Sequence, residues 1–132
     1  MRHSSLRFRN LDALNTVGIG SVHLIAIFAI LPSMWSLSGF FLFVSLYFIT
    51  GPVGITLCYH RLLTHGSFKT RRWFKYVLAV CGTLAWQGSV FVWTGTHRLH
   101  HKYADKDKDP HSPKHGFAWS HIFWTIFISL FR

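Results

Sequence analysis

The sequence predicts an all-α integral membrane protein: a transmembrane helical hairpin followed by interfacial or cytoplasmic helices that carry two histidine groups. Three observations predict it. No Lys, Arg, Asp or Glu occurs from Ala13 to Tyr59. Basic residues flank that stretch, with Arg2, Arg7 and Arg9 before it and Arg61 through Arg132 after it, the bias of segments held on the cytoplasmic side of a membrane. Five histidines then fall in two tight groups, His60 with His65, and His97 with His100 and His101.

Composition sharpens this. Half of the 132 residues are hydrophobic and only 14% are charged, against about 25% in a soluble domain. That argues against a disordered chain, a coiled coil or a disulfide scaffold. The four acidic residues are all Asp. Lack of Glu excludes the HExxH metalloprotease motif and the Glu-rich di-iron sites of helical bundles. Cys58 and Cys81 lie in apolar runs without CxxC spacing and read as buried, reduced thiols. A net charge of +10 is compatible with nucleic-acid binding, but an uncharged stretch this long is too apolar for a soluble binding arm. The length allows one domain, expected over residues 1–132.

In chain order, residues 14–31 form the first predicted span and residues 37–59 the second. The linker between them holds Pro32, Ser33 and Trp35, suited to a turn at the far membrane surface. A cleaved signal peptide is disfavoured, because the second apolar segment follows at once. His23 is alone in the first span and reads as a satisfied side chain. Pro52 interrupts the second span just ahead of His60. A third apolar run, residues 74–93, contains Gly82, Gln87 and Gly88 and makes a poor span. If it crossed the bilayer once, it would hold the two histidine groups about 30 Å apart. It is therefore expected to be an interfacial or re-entrant helix, or a pair of short ones. The last run, residues 117–131, stops at Arg132 without a polar tail, so the domain is expected to be incomplete at that end.

The second histidine group has helical geometry: His100 and His101 lie on either side of His97 on one face. The first is irregular, because an i,i+5 pair is splayed on a straight α-helix. Imidazole ligates iron, zinc and copper. An isolated histidine pair is ordinarily just solvated, but two groups with this spacing point to metal. Structural zinc is disfavoured, since such sites take four ligands and often Cys. Asp105, Asp109 and His111 follow the second group and are candidates to orient ligating imidazoles. A solvated loop is the competing reading for the Asp residues.

Two segments, GITLCYHRLLTHGSFKT and WTGTHRLHHKYADKDKDPHSPKHGFAWSH, resemble the integral-membrane fatty acid desaturases of the delta-9 acyl-CoA and acyl-lipid type. The intervening CGTLAWQGS is also similar, and Gly95, two residues before His97, looks like bacterial, cyanobacterial-type members. The resemblance covers the chain from about residue 40 onward. It implies an oxidoreductase of lipid metabolism that uses two non-haem irons, dioxygen and an electron donor such as ferredoxin or cytochrome b5. Such an enzyme puts a cis double bond into a fatty acyl chain carried on coenzyme A or a lipid. By the same resemblance His60, His65, His97, His100 and His101 are iron ligands, and Trp86, Phe91 and Trp93 are candidates to line an acyl tunnel. Arg98, Lys102 and the basic cluster Lys69, Arg71, Arg72 and Lys75 are read as facing an anionic headgroup, a phosphate-bearing acyl carrier or, foremost, the membrane surface. The family's third histidine box has no counterpart after His121. The chain alone is therefore expected to be inactive, a truncated remnant or half of a split enzyme with weak metal binding. No nucleic acid is expected as a partner. The expected location is a multi-pass membrane setting with the N-terminus and both histidine groups on the cytoplasmic side.

Overall fold

A computed structural model describes residues 11–127. Among them, structure is helical apart from one isolated antiparallel bridge, Leu11 with Phe127. Trp35–Lys102 forms one compact unit, and the other described residues form a second.

In the second unit, α1 spans Ala13–Ile27 and ends in a tighter turn over Phe28–Ile30. Asp12 caps it, its carboxylate accepting from the Asn15 amide at 3.1 Å, which satisfies one of the orphan N–H groups at a helix start. The Asp12 amide donates to the Ile126 carbonyl at 2.7 Å, and the Asn15 side chain donates to the Thr125 carbonyl at 3.0 Å. His23 is bonded to the Ile19 carbonyl at 2.8 Å within its own helix, as expected of a satisfied side chain.

In the Trp35–Lys102 unit, α2 runs from Leu37 to Thr64. Ser36 caps it, accepting from the Gly39 amide at 3.0 Å. The second span was expected to end at Tyr59. The helix instead continues through the first histidine group, because its pairing changes rather than stops. From Ile49 to Thr64 the turns widen to i→i+5 hydrogen bonds, with Pro52 inside the wide segment. Proline has no N–H to give and its ring clashes with the ordinary α-helical pairing, so a register change near it is the physical expectation. Gly66, at φ +61°, then ends the helix, a left-handed conformation that costs glycine nothing.

The third apolar run is two short helices. α3 covers Arg72–Thr83 and α4 covers Val90–Tyr103. Twelve residues of α3 reach only about 18 Å at 1.5 Å per residue, well short of a bilayer core. The turn between them uses Trp86 at φ 54° and Gly88 at φ 91°. Ser89 starts α4, its hydroxyl accepting from the Val92 amide at 3.3 Å.

The core of this unit is the α2–α3 crossing, where Cys58, Tyr59, Leu62 and Leu78 are buried. Glycine makes the crossing possible. A Cβ on Gly54 would lie 2.6 Å from the Cys81 carbonyl oxygen and closer still to the Gly82 nitrogen. A Cβ on Gly82 would lie 2.8 Å from Tyr59 ring carbons. The two backbones thus touch where neither carries a side chain, the mode of close helix approach common in membranes. Tyr59 fills the space beside it, with its hydroxyl 3.1 Å from that of Thr83.

Two helical stretches, Ala13–Ile30 and Leu37–Thr64, are long and apolar enough to cross a membrane. Only 6% of the most apolar window of each is buried, unlike the core helix of a soluble protein. Leu14, Ile30, Phe43 and Tyr47 are among the large side chains they leave exposed.

Candidate metal centre

Four imidazoles converge in the Trp35–Lys102 unit. His60, His65, His97 and His101 each offer a ring nitrogen, and these nitrogens all lie within 4.8 Å of one another. Wide-turn pairing explains the first two. The His65 amide donates to the His60 carbonyl at 3.0 Å, which stacks residues i and i+5 on one face. Their Nε2 atoms come to 3.1 Å. The splay expected on a straight α-helix is removed, and a local π-type distortion at a functional site is a recurrent device. On α4, ordinary i,i+4 geometry puts the Nε2 atoms of His97 and His101 at 3.0 Å.

Across the two helices, the His60 and His97 rings are 4.7 Å apart and the His65 and His101 rings 4.8 Å apart. Histidine nitrogens bind a metal such as zinc at about 2.0–2.1 Å, so two donors on one ion stand about 3 Å apart at a right angle and about 4.2 Å apart when opposite. The 3.1 and 3.0 Å pairs match neighbouring positions on one ion, and the four nitrogens together form a candidate site for one. His100 is not among these mutually close nitrogens. The structure thus brings together four of the five sequence-predicted ligands.

Burial, helped by the neighbouring imidazoles of His101, His60, His100 and His65, pushes His97 down to about 4. At pH 7 it is neutral and presents a lone pair, the form a metal needs.

An aromatic buttress holds His97 in place. Trp93 stacks on it at 4.8 Å and 27°, and meets Tyr59 edge-on at 5.8 Å. The Trp93 indole N–H donates to the Gln87 side-chain oxygen at 3.0 Å. Trp93 is thus packed into the support of the site, whereas Trp86 and Phe91 are 63% and 87% exposed.

Sequence reasoning singled out Arg98 but not the carbonyls it bonds. Its Nη2 donates to the Leu63 carbonyl at 2.8 Å and its Nε to the Thr64 carbonyl at 3.4 Å. The guanidinium, read as facing a headgroup, sits on the last turn of α2. The signal available was positional: a fork-shaped cation one residue after a ligand-type histidine, and helix-terminal carbonyls in need of donors.

Asp105, Asp109 and His111 belong to the other unit. Asp109, 2% exposed, accepts from the Asp105 amide at 3.0 Å and from the His111 amide at 3.2 Å, one bond to each carboxylate oxygen. This closes the loop, with Asp105 at φ 56°. His111 packs 5.1 Å from the Trp124 ring. Replacing Asp109 by Ala removes acceptors from both amides, which costs about 1–3 kcal/mol when such groups are left unpaired. Denaturant unfolding should show that loss, and amide exchange should quicken first at Asp105 and His111. Unchanged exchange there would contradict it.

Comparison with known proteins agrees with the family resemblance of the sequence. The fatty acid desaturase family model matches residues 33–132. The chain is 50% identical over 115 residues to an sn-1 stearoyl-lipid 9-desaturase of Anabaena variabilis, covering 87% of this chain and 42% of that protein. It is 49% identical over 107 residues to an sn-1 stearoyl-lipid 9-desaturase of Synechocystis, covering 81% of this chain and 34% of that one. An acyl-CoA C20 Delta5-desaturase of Anemone leveillei is 43% identical over 120 residues, covering 91% of this chain and 38% of that protein. The chain thus spans roughly two fifths of the length of the curated relatives it matches. The matched stretch takes in both histidine groups, the Gly54–Gly82 crossing and Arg98, and on that evidence the chain belongs to the fatty acid desaturase family.

Proposed function

We propose that this chain forms part of a membrane-bound fatty acyl desaturase and that His60, His65, His97 and His101 are ligands of one non-haem iron. The observation that carries the reading is the meeting of four imidazole nitrogens from two helices far apart in sequence, all within 4.8 Å. Iron held there supplies the dioxygen chemistry by which two hydrogens leave adjacent methylenes; with two electrons and two protons added, one O2 becomes two waters. The chain's own residues do the holding. α2 and α4 present the imidazoles, and Trp93, Tyr59 and Gln87 keep the His97 ring from turning.

The proposed substrate is a fatty acyl chain on a lipid or coenzyme A, after the names of the relatives. Trp86 and Phe91, exposed and apolar at the head of α4, are proposed to meet that chain. His100 is proposed as a ligand of a second iron, whose other donors lie outside the four-histidine set. The electron donor is proposed to be ferredoxin or cytochrome b5. The two apolar helices are proposed to cross the bilayer as a hairpin with both ends cytoplasmic, which the flanking basic residues support.

A segment exchange tests this. A stearoyl-lipid 9-desaturase whose matching segment is replaced by residues 33–132 should raise lipid unsaturation in a desaturase-deficient host, read by gas chromatography. The same chimera with His97→Ala should not. A folded, iron-loaded chimera without activity would refute the assignment. The 132-residue chain alone should form no double bond in that assay; a new double bond would contradict this expectation.

A further inference from the structure

Arg98 lies between two histidines of α4, yet its guanidinium leaves that helix to bind another. It reaches the carbonyls of Leu63 and Thr64, at 2.8 and 3.4 Å. These are terminal carbonyls of α2, immediately before His65. The end of a helix is rich in unpaired carbonyls and carries the negative end of the helix dipole, so a cation there satisfies both. A planar fork can serve two adjacent carbonyls at once, which a single ammonium cannot. The wide turn that brings His65 over His60 closes at this point.

The consequence is geometric. His60 and His65 sit on α2 and the turn that ends it, while His97 and His101 sit on α4. The Arg98 bonds tie a side chain of α4 to the backbone of α2. Other contacts include the ring contacts of Tyr59 with Trp93 and of the histidines with one another, and Val90 against the core around Cys58 and Leu62. We propose that Arg98 is a positioning residue that clamps the last turn of α2 to α4 and so sets the convergence of the two histidine pairs. The inference rests on the reading of those imidazoles as metal ligands.

Cobalt(II) is a suitable probe, because its visible absorption reports donor geometry as well as occupancy. The full 132-residue chain in detergent is titrated as wild type, Arg98→Ala, Arg98→Lys, His97→Ala and Ser36→Ala. Ser36 caps the opposite end of α2, so Ser36→Ala reports destabilisation without a change at the site. Arg98→Ala should lose about 10–100-fold in cobalt affinity, as removal of a group that orients ligands commonly does, and its spectrum should shift. Arg98→Lys should fall between wild type and Arg98→Ala, and Ser36→Ala should keep the wild-type spectrum. Wild-type affinity and spectrum in Arg98→Ala would overturn the proposal, as would an equal loss in Ser36→Ala. If Arg98→Ala does not fold, Arg98→Lys decides, and wild-type behaviour there overturns it. The underlying metal reading fails separately, if His97→Ala binds cobalt like wild type.

Discussion

Replacing His97 by Ala should reduce metal affinity by on the order of 100-fold or more, beyond the 10–100-fold typical of residues that merely orient ligands. His97 is the hinge of the set. Its ring lies 4.7 Å from His60, 4.6 Å from His101 and 5.8 Å from His65. It is also the imidazole held down to about 4, hence neutral where its lone pair is needed. Removing it leaves donors that no longer surround one point. His100→Ala should cost less than about tenfold, since one donor outside the shared set is not required for the first ion. His23→Ala should change nothing in metal affinity, its ring being bonded to Ile19. Equilibrium dialysis or calorimetric titration with a divalent metal separates these. Equal losses in His97→Ala and His100→Ala would mean the four-histidine grouping is not the binding unit.

The second large effect concerns packing. Gly54→Ala should destabilise the Trp35–Lys102 unit by about 3 kcal/mol or more, at or beyond the upper end of ordinary overpacking. The added methyl would meet backbone at Cys81 and Gly82, and backbone cannot rotate aside as a side chain can. Gly82→Ala should act at Tyr59 instead, because the new methyl would press on that buried ring. Tyr59 supports Trp93, and Trp93 supports His97. Gly82→Ala should therefore lower metal affinity as well as thermal stability. Unfolding in detergent followed by circular dichroism, with metal titration on the same samples, would show both. A wild-type midpoint for Gly54→Ala would mean that α2 and α3 do not cross there.

Much of this was legible in the residues. The uncharged stretch from Ala13 to Tyr59 marked two helices of spanning length, and the helical spacing of His97, His100 and His101 marked a ligand face. The poor span through Gly82, Gln87 and Gly88 was legible too, since only a broken run could bring the two histidine groups together. The pairing of α2 was not. Hydropathy reports how long an apolar run is, not whether its carbonyls bond to i+4 or i+5, so the second span was ended at Tyr59. The His60–His65 spacing called for a helix that ends or distorts, and the wide turn is the distortion that supplies its geometry. Asp109 was read as a candidate to orient an imidazole or as part of a solvated loop, not as the acceptor of two backbone amides. Gln87 was read as a flaw in a span, whereas it accepts the Trp93 indole N–H. Arg98 was read from its charge alone, and charge does not say which carbonyls a guanidinium will find.

The central claim is that four imidazoles share one ion. Iron K-edge X-ray absorption on the iron-loaded chain, with metal content measured on the same sample, tests it most directly. The expected result is one iron per chain with imidazole scattering from about four nitrogen donors, each at about the 2.0–2.1 Å usual for metal–histidine bonds, falling in His97→Ala. Two irons per chain, or an unchanged iron environment in His97→Ala, would contradict it.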